Sequence, residues 1–183
     1  MAKTSDRSRM QPLGPEQQFV LTELWTLAWA ASVQRANLYA PGSKQTGQLR
    51  DKLQEFITSH LLPHYVRPCT EQQHYLNLAE LVEFGTGALP GSLRDGRYRY
   101  GVAQKLLNLA LKYHWCLGQI SEPPHCPIDR IIIEKTHLRG RVNWTQIADE
   151  EQYRVVIEAV RRRAEPESIA RWELLNYRRR SSL

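Results

Sequence analysis

The residues with the most chemical promise lie in two runs, Tyr100-Gly101-Val102-Ala103-Gln104-Lys105 and Pro127-Ile128-Asp129-Arg130. A glycine at the mouth of a helix leaves backbone N–H groups able to approach a phosphate. Lys105 falls in the first turns of that helix, where the positive dipole end disfavours an ammonium. Partial burial adds to the effect, and an amine of lowered pKa is a nucleophile. Asp129 opens the next helix. From there it can cap backbone donors or, aimed into a cleft, stabilise a developing cation or accept a proton. Lys112 is a rival amine, seven residues further along and on the same helical face.

The surrounding residues extend this chemistry. Arg97, Arg99, Tyr100 and Gly101, with Lys112, are candidate nucleic-acid contacts, arginine on phosphate and tyrosine stacking or hydrogen-bonding. Tyrosines folded back on a core would instead leave a plain solvated loop. From Arg94 to Lys112 five basic residues face one acid, Asp95, a local +4. Trp29, Trp144 and Trp172 are candidate base-stacking walls, as aromatic side chains on a nucleic-acid-binding surface can be. Trp25 and Trp29, however, share the i, i+4 spacing of an ordinary core stripe. Gln34 and Arg35 could hydrogen-bond a flipped base. The clusters Arg161-Arg162-Arg163 and Arg178-Arg179-Arg180 sit near helix C-termini, where the dipole accounts for cations without a partner. His114 and Cys116 are about 200° apart around a helix, and Pro63 interrupts His60 and His64, so neither pair makes a metal site. No metal or other cofactor is expected.

Taken together, Gly101-Val102-Ala103-Gln104-Lys105 and Pro127-Ile128-Asp129 resemble the paired motifs of the helix-hairpin-helix DNA glycosylases, the superfamily of endonuclease III and the 8-oxoguanine glycosylases. The resemblance covers roughly residues 90–135. It implies that Lys105 is the Schiff-base lysine that attacks the sugar C1′ of an extruded nucleotide, and that Asp129 supports departure of the base. Ala103 stands where the hairpin's second glycine would be. Three cysteines are too few for the iron–sulfur signature of endonuclease III.

Helices must position these groups. Leu21, Leu24, Trp25, Ala28 and Ala31 recur at helical spacing between Glu16 and about Ala36. Leu49 to Leu61 predicts a second helix stopped near Pro63, and Thr70 caps a third that ends at Gly85. Val102–Leu117 is strongly helical and closed by Gly118. A short helix starts near Asp129, another spans Thr145 to Ala164, and Pro166 opens the last. The expected fold is an all-α, compact multi-helix domain over residues 16–180, with a divergent helix-hairpin-helix-like element. Residues 1–15 read as a flexible lead-in and 181–183 as a tail.

Composition bounds the function. The chain has 183 residues, enough for a real core without disulfides or metal staples. Its net charge is +6, and 19 of the 25 basic residues are arginine. The arginine fork fits phosphate oxygens, so the bias favours an anionic partner. Collagen, low-complexity disorder and a cysteine-rich scaffold are excluded. No stretch approaches the roughly 18 apolar residues of a membrane span, and the N-terminus lacks a secretory apolar region. A cytoplasmic location follows as the default, with no membrane partner and the oligomeric state left open. The expected function is that of a DNA-binding protein that extrudes a damaged or modified base, as a DNA glycosylase or AP lyase. The alternatives are a non-catalytic nucleic-acid-binding module on the same scaffold and a helical protein-interaction domain.

Overall fold

The computed structural model describes residues 12–43 and 46–178. Most of the expected lead-in, the tail 181–183, and Arg179 and Arg180 lie outside the described residues. The described chain is all-α: α1 (Pro15–Val33), α2 (Thr46–Phe56), α3 (Glu71–Ala88), α4 (Tyr100–Cys116), α5 (Arg130–Ile133), α6 (Glu150–Ala164) and α7 (Ile169–Asn176). Short irregular turns, Ile57–Leu61 and Leu62–Tyr65, carry α2 through Pro63. Proline sits there at the start of a 3₁₀ turn, where its missing N–H costs nothing. Among the described residues no helix is long and apolar enough to cross a membrane.

The caps explain the boundaries. The side chains of Thr70, Asp129, Asp149 and Ser168 each accept a backbone N–H at the start of their helices. Asp149 sets the start of α6 later than the expected Thr145, because Trp144–Gln146 forms its own 3₁₀ turn. Pro166 likewise precedes the last helix, which Ser168 caps. Gly85 does not end α3, which runs on to Ala88. Its missing side chain admits Tyr98 instead: a Cβ there would stand 2.6 Å from the ring.

Helix α4 is the axle. Residues 100–108 are all buried, so its first turns are enclosed on every face, and α1 and α3 pack along it. Its polar positions are not wasted. Tyr153 of α6 accepts from Asn108 and faces His125, while His125 Nε2 lies 2.9 Å from Glu71. Arg161 also donates to Glu71. Tyr65 and His74, on the other side of His125, continue this buried polar spine. Paired groups of this kind favour a single arrangement of the helices, although His74 Nε2 and Asn108 Oδ1 find no partner among the described residues.

Gly101 has the tightest surroundings of any glycine in the described chain. Its N–H donates to the Ile147 carbonyl at 2.9 Å, and a Cβ would sit 1.9 Å from the Trp144 carbonyl oxygen. Backbone cannot move aside as a flexible side chain can. Gly101→Ala is therefore expected to destabilise by roughly 1–3 kcal/mol or more. Gly87→Ala, with open space around it, should be neutral or slightly stabilising as a helical glycine replacement. Chemical denaturation of the two variants checks the contrast, and equal stability would contradict it.

Candidate functional site

Lys105 projects from the second turn of α4 and Asp129 from the residue before α5. Lys105 Nζ donates to Asp129 Oδ2 at 3.2 Å, with both side chains about nine-tenths buried. Asp129 performs both roles open to it in the sequence: Oδ2 takes the ammonium while Oδ1 accepts the Ile132 N–H at 3.1 Å. The amine also lies 4.4 Å above the Trp144 ring. Burial lowers the Lys105 pKa from its ordinary value; the Asp129 carboxylate opposes that shift, and the Arg35 charge adds to it. The result is an amine held next to a proton acceptor in a desolvated setting.

The register between the two groups comes from Gln104. Its side-chain amide donates to the Ile128 carbonyl at 2.8 Å and accepts the Ile128 N–H at 3.1 Å. This paired bond locks the residue before Asp129 onto α4, one position from Lys105. Gln104 is a positioning residue that sequence reasoning missed. A readable signal existed, since a glutamine inside an apolar run invites the question of what it pairs with.

The pair lies in the wall of a cleft of about 760 Å³. Leu27 of α1, with Gln34 and Arg35 just past its end, forms one side; Arg130, Trp144 and Tyr177 stand on others. Gln34 and Arg35 thus reach the cleft, and of the three expected stacking residues only Trp144 does. Trp29 is half-buried against the core and Trp172 is buried in it, so packing claims both. Tyr177 was not anticipated. It follows the end of α7, and its ring is 5.1 Å from Lys112 Nζ.

Lys112 belongs to a neighbouring pair. Its ammonium donates to Glu173 Oε2 at 2.7 Å. Burial raises the Glu173 pKa, and Lys112 pulls it back. Glu173 occupies the apolar stripe of α7 with Ile169 and Trp172, a position from which its importance could have been read. The choice between the two lysines is settled by geometry in one respect: Lys105, not Lys112, forms the ion pair with Asp129.

The Arg/Tyr stretch before α4 is used differently from the expectation. Tyr100 is buried with its ring against Tyr153, and Tyr98 is fully enclosed. Arg99 donates to the Ala36 carbonyl and lies 3.7 Å from Asp95. Arg94 donates to Asn37, and an isolated bridge joins Tyr39 to Leu93. These contacts staple the loop before α4 to the α1–α2 connection. Arg97 is exposed but donates to the Ala148 carbonyl. Gly101 is buried and its N–H is taken by Ile147, so it offers no donor to a phosphate. A contact role for Tyr100 or Gly101 is corrected to packing, because the 144–147 segment covers the start of α4.

Comparison with known proteins adds no further name. No family model matches the chain, and no curated protein or solved structure matches it.

Proposed function

We propose that this protein binds DNA and removes a damaged or modified base in the manner of base-excision DNA glycosylases, with Lys105 as nucleophile and Asp129 as its acidic partner. The observation that carries the proposal is the 3.2 Å Lys105–Asp129 contact in the wall of an open, basic cleft. Arg35, Lys105 and Arg130 line it against the single carboxylate of Asp129. A nucleotide extruded into this space would bring an anionic phosphate to the arginines and its sugar to the amine.

The chemistry is an amine displacement. Asp129 accepts a proton from the Lys105 ammonium, and the free amine attacks C1′. The C1′–N bond to the base breaks, and the base leaves with the electron pair and takes up a proton. Opening of the sugar ring then gives a protonated imine between Nζ and C1′. Borohydride reduces that imine to a stable amine, so wild-type protein incubated with lesion-bearing duplexes and borohydride should form a covalent protein–DNA species. A panel of lesions with no trapped species, but tight and salt-sensitive DNA binding, would overturn the catalytic part. That outcome would favour a non-catalytic nucleic-acid module, a reading to which the capping role of Asp129 on α5 lends support.

A further inference from the structure

The cleft beside Lys105 does not end at Trp144. A second cavity of about 440 Å³ borders the same indole and is walled by the 140–146 loop. Arg35, Arg130 and Trp144 line both spaces, and Arg141 lines the second. Arg130 is paired with Glu134 at 2.8 Å. Arg35 and Arg141 are exposed and form no side-chain hydrogen bond or ion pair among the described residues. Most other arginines here are spent on carbonyls or carboxylates, including Arg94, Arg97, Arg99, Arg154 and Arg161. Arg35 also stands close enough to Lys105 for its charge to help depress the lysine pKa. Glu134 also lines the second cavity and balances Arg130, so the uncompensated positive charge there comes from Arg35 and Arg141.

We infer that the second cavity is a subsite for the neighbouring nucleotide of the same strand, with the linking phosphate between Arg35 and Arg130 and the next phosphate on Arg141. The inference rests on the reading of the first cleft as a nucleotide site. Both spaces fall in the size range of small-ligand pockets, roughly 300–1,000 Å³. A single nucleoside fills one and leaves Arg141 without an anion. A strand carries successive anions along its backbone, and the guanidiniums shared by the two spaces and lining the second can each take one. Their planar forks hold phosphate oxygens bidentately. The substrate class is therefore a polynucleotide, recognised through the backbone beside the reacting sugar. Trp144 acts as the partition between the two chambers.

The test uses single strands carrying a tetrahydrofuran abasic analogue, alone or with one to three nucleotides added on its 5′ or 3′ side, titrated by NMR. Wild-type protein should gain affinity in a step when the first nucleotide is added on one side. Arg141→Ala, an exposed change outside the Lys105 site, should erase that step and weaken an eight-nucleotide strand by roughly tenfold. It should also lower the salt slope by about 0.7, the value of one phosphate on a single strand. Arg141→Lys should restore the salt slope while recovering the affinity only in part. Equal weakening of the unflanked and flanked probes, or no weakening of either, would overturn the subsite. Failure of borohydride trapping alongside a length-dependent Arg141 effect would remove the chemistry and keep the subsite. Trapping without any Arg141 effect would do the reverse.

Discussion

Replacing Lys105 with Gln is expected to abolish the borohydride-trapped species, because no other amine stands on Asp129. The double change Lys112→Gln, Glu173→Gln removes the neighbouring pair without stranding a buried charge, and it should still trap. Asp129→Asn separates two functions that the wild-type residue combines. Asn is as good a helix cap as Asp, so the Ile132 N–H keeps its acceptor. The ammonium loses its counter-charge, and with that opposition gone the Lys105 pKa falls further below its ordinary value. More free amine is then present near neutrality. Asp129→Asn should therefore still trap on a preformed abasic site, and its pH profile should begin to rise at lower pH than that of wild type. Release of an intact base, in which the Asp129 carboxylate balances the positive charge developing at C1′, should drop by about 10²–10³-fold. Breaking a buried pair costs on the order of 3–5 kcal/mol, so thermal melting must show each variant folded at the assay temperature. A trapped species with Lys105→Gln, or undiminished base release by Asp129→Asn, would sink the assignment.

Mild acid is expected to destabilise the fold well before the carboxylates titrate. His74, His114 and His125 are buried, at 0%, 8% and 1% exposure, and burial lowers the pKa of each below 6.5. The unfolded chain then binds protons at a pH where the folded chain does not. Stability is accordingly full above about pH 6.5 and falls as pH drops through that value towards the lower folded pKa values. Each pH unit in that window costs up to about 1.4 kcal/mol per histidine. For three such residues the loss between pH 7 and 5.5 is bounded at about 4 kcal/mol and shows as a fall in Tm. Glu71 acts lower down. The hydrogen bond from His125, helped by Arg161, holds its carboxyl at about 2 against an ordinary 4.5. Its contribution is present above 4.5 and lost as pH falls towards 2, and its half-exposed position keeps that contribution modest. His114→Gln keeps a hydrogen-bonding side chain near Gln119 without titrating, and should reduce the upper slope. A melting temperature unchanged between pH 7 and 5.5 would contradict the account.

Much of the helical layout was legible in the chain because its signals are local. Thr70 and Asp129 lie where side-chain oxygens can reach N–H groups two or three residues on. Gly118 and Gly140 mark left-handed turns that side chains resist. The boundaries that went astray have non-local causes. Gly85 reads as a stop only until Tyr98, thirteen residues on, is seen to need the space. The late start of α6 follows from the Trp144 turn packing on Gly101, more than forty residues away.

The amino-acid sequence by itself determined an all-α chain and an arginine-rich charge balance, and it singled out Asp129 with two candidate lysines, Lys105 and Lys112. Residue types and helical periodicity suffice for these, because both act over a few residues. Only the tertiary structure decided which lysine meets Asp129, since positions 105 and 112 share one helical face and the partners Asp129 and Glu173 come from distant elements. It also relocated the useful charge. The local excess around Gly101 is absorbed by carbonyls of the α1–α2 connection and the 147–148 segment. Arg35 and Arg141, two of the arginines that form no side-chain hydrogen bond or ion pair among the described residues, are far apart in sequence and face the same concave space. Sequence counts charges, but pairing depends on distance, and distance is set by the fold.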